Sequence, residues 1–298
     1  MLHGIIDIGS NTIRLKIYKK ECGRLINVID KKDFTRLISY RRNNILQAEG
    51  VSKCIDVLVG YKHIIDLLKI SRYYVIAETV FRGLENIDDV LSEVKNKACV
   101  DVLVLSQFDE EMYSYLGATS DIDINDGCVV DIGGGSTELI FFSDNSISLK
   151  CMIACGSLNM QDAYFNDDNI LDFEVSGIKK YVYECLQAEK INKKSEVIIG
   201  VGGTLRALLR LKRSETTNDV LIFTYDDVRR WYQIVMHNKV LWLRTLLKVA
   251  PERVYTLTSG LIILKTVMKY IGAKSVYVTK NGVREGFLYN EIKNEKES

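Results

Sequence analysis

The most constraining feature of the sequence is a short pattern that occurs twice. Asp7 and Asp131 each end an apolar segment, and each is followed by Ile and a glycine-containing turn, 124 residues apart. After each turn comes an apolar-rich segment typical of a second strand. The spacing is too long for a solenoid repeat. It predicts two duplicated domains that each begin with the same strand–turn–strand hairpin.

The rest of the chain alternates predicted strands with predicted helices. Further strand-like segments lie at residues 73–77, 100–105, 197–201 and 275–279, and helical spacing of apolar residues lies between them. This order predicts an α/β fold with mixed sheets in two lobes. We expect the first lobe to comprise residues 1–118 with a C-terminal helix at about 285–298, and the second lobe to comprise residues 119–284.

Composition excludes several classes of protein. The chain has 298 residues, a net charge of +1, 47% hydrophobic and 27% charged residues, which is typical of a globular protein rather than a disordered one. A general nucleic-acid-binding protein usually carries a basic excess, which is absent here. The first residues do not have a signal-peptide pattern, and no apolar run approaches the ~20 residues of a membrane helix. We therefore expect a cytoplasmic protein that binds neither nucleic acid nor membranes.

The cysteines support the same expectation. Their number is odd and their spacing is irregular, which favours reduced thiols over a disulfide framework. Cys151 and Cys155 are not followed by a second pair or a histidine at zinc spacing, so we predict no zinc site. The seven residues are Cys22, Cys54, Cys99, Cys128, Cys151, Cys155 and Cys185.

The two turns have the composition of anion-binding loops. Consecutive backbone N–H groups in such turns form concave anion sites, and nearby hydroxyl groups add donors. A carboxylate at the preceding strand end is suited to hold Mg²⁺. One such turn alone more often only closes a hairpin. The predicted phosphate-binding residues are Gly9, Ser10, Asn11 and Thr12 in the first turn and Gly133, Gly134, Gly135, Ser136 and Thr137 in the second.

A third loop strengthens this interpretation. Gly202-Gly203-Thr204 follows a predicted strand and opens a predicted helix, and helix N-termini are natural phosphate sites. We predict that Gly203 and Thr204 contact phosphate. Three such loops with Asp7 and Asp131 predict a cleft for a phosphate chain and a divalent cation, with Mg²⁺ as the expected ion.

Two Asp-Ile-Gly hairpins and a Gly-Gly-Thr loop resemble the actin, sugar-kinase and heat-shock-chaperone superfamily. Within it, the sequence is similar to short, two-domain members of the exopolyphosphatase and guanosine pentaphosphate phosphohydrolase (Ppx/GppA) family. The residues that carry this resemblance are 6–15, 82–86, 130–139, 200–204 and 282–286. The resemblance implies a two-lobed actin-like, ribonuclease H-like fold with duplicated mixed sheets and a cleft between the lobes. It also implies Mg²⁺-dependent hydrolysis of a terminal phosphoanhydride, and it is compatible with a homodimer.

The resemblance also implies roles for individual side chains. Alignment through Tyr115-Leu116-Gly117 places the base that activates water at Glu110, while Glu138 orients the water or the metal. Metal ligation falls to Asp7, Asp131 and Glu138. Arg14 and Arg82 hold phosphate oxygens, a task suited to planar guanidinium groups. The alternative for Glu110 is that it only complements the dipole at a helix N-terminus.

The substrate stays open between inorganic polyphosphate and a guanosine penta- or tetraphosphate. Polyphosphate is favoured, because the sequence shows no aromatic or aspartate guanine reader. Two departures from the family pattern are Gln107-Phe108, where a Gly-Glu pair is expected, and Glu78-Thr79, where Thr-Ser is expected. They keep an alternative open, a regulator that binds (p)ppGpp or polyphosphate with little turnover. A further alternative is an ATPase or kinase of the same superfamily.

Overall fold

The computed structural model describes residues 1–21, 24–144, 146–166, 169–216 and 219–297. Cys22 and Ser298, which the sequence predictions include, lie outside these residues. The chain divides into two compact units: unit 1 is Met1–Gly117 with Val283–Ser298, and unit 2 is Ala118–Gly282. Within the described ranges, every helix is too short or too polar to cross a membrane.

Unit 1 is built around a five-stranded mixed sheet with the strand order β3-β2-β1-β6-β7. The pairs β1–β2 and β2–β3 are antiparallel, whereas β1–β6 and β6–β7 are parallel. The strands are β1 (Leu2–Ile8), β2 (Thr12–Glu21), β3 (Arg24–Phe34), β4 (Arg41–Arg42), β5 (Ile45–Leu46), β6 (Arg72–Ala77) and β7 (Leu103–Val104). The helices in this part of the chain are α1 (Ala48–Leu67), α2 (Ile87–Ala98) and α3 (Gln107–Thr119).

Unit 2 repeats this arrangement. Its six-stranded sheet has the order β10-β9-β8-β13-β15-β14, and the first three strands are again antiparallel while β8, β13 and β15 are parallel. The strands are β8 (Gly127–Ile132), β9 (Thr137–Ser143), β10 (Ser146–Ile153), β11 (Phe165–Asn166), β12 (Asn169–Phe173), β13 (Val197–Val201), β14 (Ile222–Thr224) and β15 (Ser275–Val278). The helices are α4 (Ser157–Tyr164), α5 (Val175–Ala188), α6 (Gly202–Ser214), α7 (Tyr225–His237), α8 (Lys239–Val249) and α9 (Leu257–Ile271). The predicted α/β fold with duplicated mixed sheets is confirmed.

Each sheet is covered by helices with a buried apolar face. In α1, the buried positions Val51, Ile55, Leu58 and Ile65 recur at helical spacing. The apolar segment 257–264, which is too short for a membrane helix, is buried in the core of unit 2 as the first half of α9.

The C-terminal helix α10 (Val283–Glu297) belongs to unit 1. It begins at Val283 rather than near residue 285, so the residues after Gly282 in the 282–286 motif form its first helical turn. A side chain at Gly286 would collide with the Tyr113 carbonyl of α3. The absence of a side chain at this position therefore lets α10 lie directly against α3.

Candidate functional site

The loop between β8 and β9 exposes backbone donors. Gly133 N donates to Ser136 O at 2.9 Å and closes the four-residue turn. Among the described residues, no acceptor binds the N–H groups of Gly134, Gly135 and Ser136. Both of these glycines are exposed. A row of free N–H groups is the arrangement that binds an anion.

The carbonyl side of this loop is fixed by the start of α4. Gly133 O accepts from Ser157 N and Oγ at 2.8 and 3.0 Å, Gly134 O from Leu158 N at 2.8 Å, and Gly135 O from Asn159 Nδ2 at 3.0 Å. Thr137, predicted to bind phosphate, is fully buried, and its hydroxyl donates to Cys155 O at 2.6 Å. In this structure Thr137 holds the hairpin in place, while the backbone of the loop faces outward.

The Gly-Gly-Thr loop lies beside the same strand end. Gly202 has a φ of +84°, and any side chain there would collide with the Asp131 carboxylate, so this position requires glycine. Thr204 is buried, and its hydroxyl donates to Ile132 O at 2.9 Å. The N-terminus of α6 is thereby tied to the end of β8.

Arg253 is a cation at this loop that the sequence analysis did not identify. It ends the short 3₁₀ helix Pro251–Arg253, and its guanidinium lies directly over Gly203. No described carboxylate lies within ion-pair distance of Arg253. A helix N-terminus with an adjacent unpaired guanidinium is suited to bind phosphate oxygens.

Asp131 and Glu138 share one face of the sheet. They are direct partners in the register of β8 and β9. In unit 1 the corresponding partners on β1 and β2 are Asp7 and Arg14. The residue opposite the strand-end aspartate is therefore a glutamate in unit 2 and an arginine in unit 1.

The unit 1 hairpin has the same loop construction. Gly9 N donates to Thr12 O at 3.0 Å. Asn11 O accepts from Thr35 N and Arg36 N at 3.1 and 3.0 Å, and Ser10 O accepts from Ile38 N at 3.0 Å. No described residue accepts from the N–H groups of Ser10 and Asn11. Unit 1 thus has a second loop with free backbone donors after an aspartate.

A buried charge network lies at the root of this hairpin. Arg284 donates to Asp7 Oδ2, and Glu285 accepts from Lys16 at 2.7 Å and from Tyr18. Burial raises the pKa of Asp7 although Arg284 opposes the shift. Burial also acts to raise the pKa of Glu285, but Arg284 and Lys16 prevail and hold it below its usual value. The first turn of α10 therefore fixes the environment of Asp7.

Arg82 and Glu110 form an ion pair in unit 1. Arg82 donates through Nη2 to Glu110 Oε2 and through Nε to Leu105 O at 3.2 Å. Ser106 and Asp109 cap α3 reciprocally: Asp109 N donates to Ser106 Oγ at 3.1 Å, and Ser106 Oγ donates to Asp109 Oδ2 at 2.6 Å. Asp109 thus caps the helix, whereas Glu110 contacts the predicted phosphate ligand Arg82.

Arg14 is held on the strand surface by Asp30. The contact between Arg14 and Asp30 is bidentate, with Nε to Oδ1 at 2.5 Å. Burial acts to raise the pKa of Asp30, but the hydrogen bonds and charge of Arg14 prevail and lower it. A phosphate held by Arg14, as predicted, would have to share this guanidinium with Asp30.

The donor set at Asp7 fits a magnesium ion that arrives with phosphate. Asp7 Oδ1 is buried without a hydrogen-bond partner. In the part of the chain that the structure describes, no group of three or more acids, histidines and cysteines is placed to hold an ion by itself. Mg²⁺ usually takes only one or two carboxylates and completes its shell with water and substrate phosphates. The predicted ligands Asp131 and Glu138 offer two such carboxylates in unit 2.

A match to a protein-family model shows which family the chain belongs to. Residues 16–295 match the model of the Ppx/GppA phosphatase family. The chain therefore belongs to this family. The match includes the second hairpin, the Gly-Gly-Thr loop and the first turn of α10.

Two curated relatives match nearly the whole chain at low identity. The chain is 24% identical over 314 aligned positions to a bifunctional 3-dehydroquinate synthase/phosphatase of Fusobacterium nucleatum, covering 98% of the chain and 47% of that protein. It is 24% identical over 298 positions to a guanosine-5'-triphosphate,3'-diphosphate pyrophosphatase of Photobacterium profundum, covering 97% of the chain and 59% of that protein. The chain thus spans only about half to three fifths of these relatives.

Solved Ppx/GppA structures match the chain along its full length. The crystal structure of the Aquifex aeolicus family member superposes with a TM-score of 0.87 at 26% identity, covering 100% of this chain and 99% of that chain. An exopolyphosphatase from Cytophaga hutchinsonii gives 0.77 at 20% identity, covering 99% and 98%. These likenesses confirm the predicted fold.

The predicted site residues of this Ppx/GppA protein form groups within each unit. Unit 1 holds Asp7 with the 9–12 loop, Arg14 on β2, and the pair of Arg82 with Glu110. Unit 2 joins the 133–137 hairpin, Asp131, Glu138, Gly203 and Thr204 at one end of its sheet. Sequence reasoning missed Arg253, which has no glycine-rich motif around it. Arg284 and Glu285 lie in the 282–286 motif, but no role was predicted for either, although two adjacent charges among apolar residues at a helix start are a readable signal.

Proposed function

We propose that this chain is a hydrolase that removes the terminal phosphate of a phosphoanhydride chain. The observation that carries this proposal is the repeated loop with free N–H groups after a strand-end aspartate, Asp7 in unit 1 and Asp131 in unit 2. The pyrophosphatase relative from P. profundum acts, by its name, on a guanosine phosphate, which supports the same chemistry. We favour inorganic polyphosphate as substrate and keep guanosine pentaphosphate as the second choice.

In unit 1 the proposal assigns the base to Glu110. Its Oε2 accepts from Arg82, while no described residue donates to Oε1. Oε1 is therefore the oxygen that would accept a proton from the attacking water. Arg82 would orient the carboxylate and bind phosphate oxygens. General-base catalysis of this kind typically contributes about 10²–10⁴-fold to the rate.

In unit 2 the proposal assigns phosphate binding to the loop backbone. The free N–H groups of Gly134, Gly135 and Ser136 and the N-terminus of α6 would bind phosphate oxygens, with Arg253 as an additional cation. Glu138 would orient the water. These donors are preorganised by the contacts with α4, so they would lose little freedom when the phosphate binds.

We also propose a divalent cation, with Mg²⁺ as the ion that suits carboxylate ligands. Asp7, Asp131 and Glu138 are the residues that would hold it. When bound, Mg²⁺ neutralises charge on phosphate oxygens. The unpartnered Oδ1 of Asp7 supports this part of the proposal.

A second candidate function is a phosphate-chain sensor with little turnover. The ion pair between Arg82 and Glu110 favours it, because it occupies one oxygen of the proposed base. Phe108, at a position where the family resemblance expects an acid, is 62% exposed. A sensor would bind the same ligand without releasing phosphate.

The deciding experiment measures phosphate release from long-chain polyphosphate, pppGpp and ATP in parallel. It compares the wild type with Glu110→Gln and with Glu111→Gln, a control that removes the same charge from the next residue of α3. Glu110→Gln is expected to lower kcat by about 10²-fold or more, while Glu111→Gln stays within about twofold of the wild type.

The outcomes separate the candidates. Release from polyphosphate or pppGpp that only Glu110→Gln abolishes supports the hydrolase and its base. Tight binding without release from any substrate would favour the sensor, and release from ATP alone would point to the ATPase or kinase branch. Equal loss in both variants would remove Glu110 from the role of base.

A further inference from the structure

A pocket of about 620 Å³ lies between α5 and α9 of unit 2, and none of the predicted site residues line it. Among the residues that the structure describes, none with a carboxylate lines it. Two tyrosines, a serine and a threonine complete the lining around five lysines, which are Lys179, Lys180, Lys194, Lys265 and Lys269. This is a concentration of positive charge in a chain whose net charge is only +1.

Ion pairs among the described residues leave most of this charge without a partner. Lys179, Lys265 and Lys269 form no ion pair within the described residues. Lys180 has a partner in Glu184, but the two charged groups are 3.9 Å apart and their side chains are 78% and 57% exposed. A pair this exposed contributes little and is easily exchanged for another anion. The pocket therefore presents several available ammonium groups.

The lysines also repel one another. Burial lowers the pKa of Lys265, and the charges of Lys179, Lys269 and Arg229 lower it further. The Lys265 ammonium lies 4.2 Å from the centre of the Tyr232 ring, which offsets part of this cost. Like charges gathered in a concave site favour binding of a ligand that carries several negative charges.

Contacts among the lining side chains hold the walls of the pocket in place. Tyr183 and Tyr270 form an edge-to-face pair with centroids 5.5 Å apart. Lys194 donates to Tyr270 O at 2.6 Å and lies 5.3 Å from the centre of that ring. Because Lys194 covers the Tyr270 ring, that ring is less suited to stack a nucleotide base. This favours an anion without bases over a single-stranded nucleic acid.

Helix α9 runs from this pocket to the loops at residues 133–137 and 202–204. In its first turn, Ser259 Oγ donates to Ser157 O at 2.6 Å, and Gly260 lies directly against Thr204. Thr266 and Lys269, seven to ten residues farther along α9, line the pocket. At 1.5 Å per residue the separation is about 10–15 Å. A single phosphate group is too small to occupy both places.

We propose that the pocket between α5 and α9 is a second binding site for a linear phosphate chain, separate from the loops at residues 9–12, 133–137 and 202–204. The choice of a phosphate chain among polyanions rests on the proposed function. A chain with several adjacent negative charges can contact several of these lysines at once, whereas a single orthophosphate would contact fewer of them.

The test is lysine acylation footprinting of the intact wild-type protein, read by mass spectrometry. Probes are linear polyphosphate, orthophosphate and single-stranded RNA at equal phosphate concentration. We expect polyphosphate to slow acylation of Lys179, Lys265 and Lys269 at least fivefold while leaving Lys248 on α8 unchanged. Orthophosphate at the same concentration is expected to protect none of them.

Binding of polyphosphate by variants gives an independent measure. Replacing both Lys265 and Lys269 by Gln is expected to weaken binding roughly 25-fold, about fivefold for each lysine. The matched control replaces Lys239 and Lys248 by Gln and is expected to leave binding unchanged. Added salt is expected to weaken binding, because exposed charges are screened.

The proposal fails if polyphosphate protects the control lysine as strongly as the pocket lysines, or if only RNA protects the pocket. Phosphate release without protection would leave the proposed function standing and overturn the pocket site. Protection without phosphate release would support the pocket and contradict the hydrolase. The two failures are therefore distinguishable in one set of samples.

Discussion

Replacing Arg284 by Met tests the charge network beneath the first hairpin. Asp7 is only 6% exposed, its Oδ2 accepts from Arg284, and its Oδ1 has no partner. Met keeps much of the length of Arg but removes the charge. The substitution therefore leaves a buried carboxylate without its cation, which is the costly way to break a buried ion pair.

The expected loss is about 3 kcal/mol of unfolding free energy at about pH 7. Breaking a buried pair costs roughly 3–5 kcal/mol, and the lower end applies because the Arg284 side chain is 20% exposed. The comparison variant is Arg14→Met, whose pair with Asp30 has side chains 28% and 29% exposed. For that pair, screening by solvent limits the expected loss to about 1 kcal/mol.

The loss is expected to depend on pH. Burial already raises the pKa of Asp7 above its ordinary value of 3.8, and without Arg284 it rises further. Between the unfolded and folded pKa values, the folded state binds more protons, so the stability of the variant falls as pH increases. The difference in unfolding free energy between wild type and variant is therefore smallest below about pH 4. It grows as the pH rises toward the folded pKa of Asp7 in the variant.

Urea unfolding followed by far-UV circular dichroism measures this loss. Both tryptophans, Trp231 and Trp242, lie in unit 2, so their fluorescence provides a separate record of that unit. Hydrogen exchange of β1 and α10 locates the effect in unit 1. The double variant Asp7→Asn with Arg284→Met is expected to recover most of the loss. A loss under about 1 kcal/mol, or one equal at acid and neutral pH, would refute the reasoning.

Three further outcomes are expected. Gly286→Ala should lower the free energy of unfolding by about 3 kcal/mol in the same urea assay, because the new methyl group would collide with the Tyr113 carbonyl. Gly60→Ala, in open space within α1, should instead raise it by roughly 0.5–1 kcal/mol. Equal effects of the two substitutions would contradict the close approach of α10 and α3. Arg253→Gln should raise KM for the phosphate substrate at least about tenfold, and Arg210→Gln, an exposed arginine of the same unit, should not; an unchanged KM would remove Arg253 from the site. EDTA should abolish phosphate release and added Mg²⁺ restore it, and activity that persists in EDTA would exclude the proposed cation.

Much of the fold was readable because its signals are local. Glycine turns between apolar strands predict both hairpins, and the observed β8 and β9 lie close to the predicted segments. Strand β10 was not predicted, although its apolar residues at 147, 149, 151 and 153 alternate with Ser146, Ser148 and Lys150, which is a readable strand pattern. Helix α5 was not predicted either, although Val175, Ile178, Val182 and Leu186 have the spacing of a buried helix face.

The sequence indicated the loops of the candidate site but not which of their atoms face outward. Glycines and hydroxyl residues predicted the loops, but the hydroxyls of Thr137 and Thr204 turn inward to carbonyl groups. Which atoms of a loop residue face outward depends on the helix packed behind the loop. The pairing of Arg82 with Glu110 likewise follows from the meeting of two segments that are 28 residues apart.

The sequence by itself determined the duplicated hairpins, the α/β class and the family, because each depends on residues that are neighbours along the chain. Tertiary structure alone decided that Arg284 meets Asp7 across 277 residues, that Arg253 covers Gly203, and that the lysines of α5 and α9 share one pocket. Charges distant in sequence acquire a partner, or remain without one, only when folding brings their elements together, and burial then determines how strongly they interact.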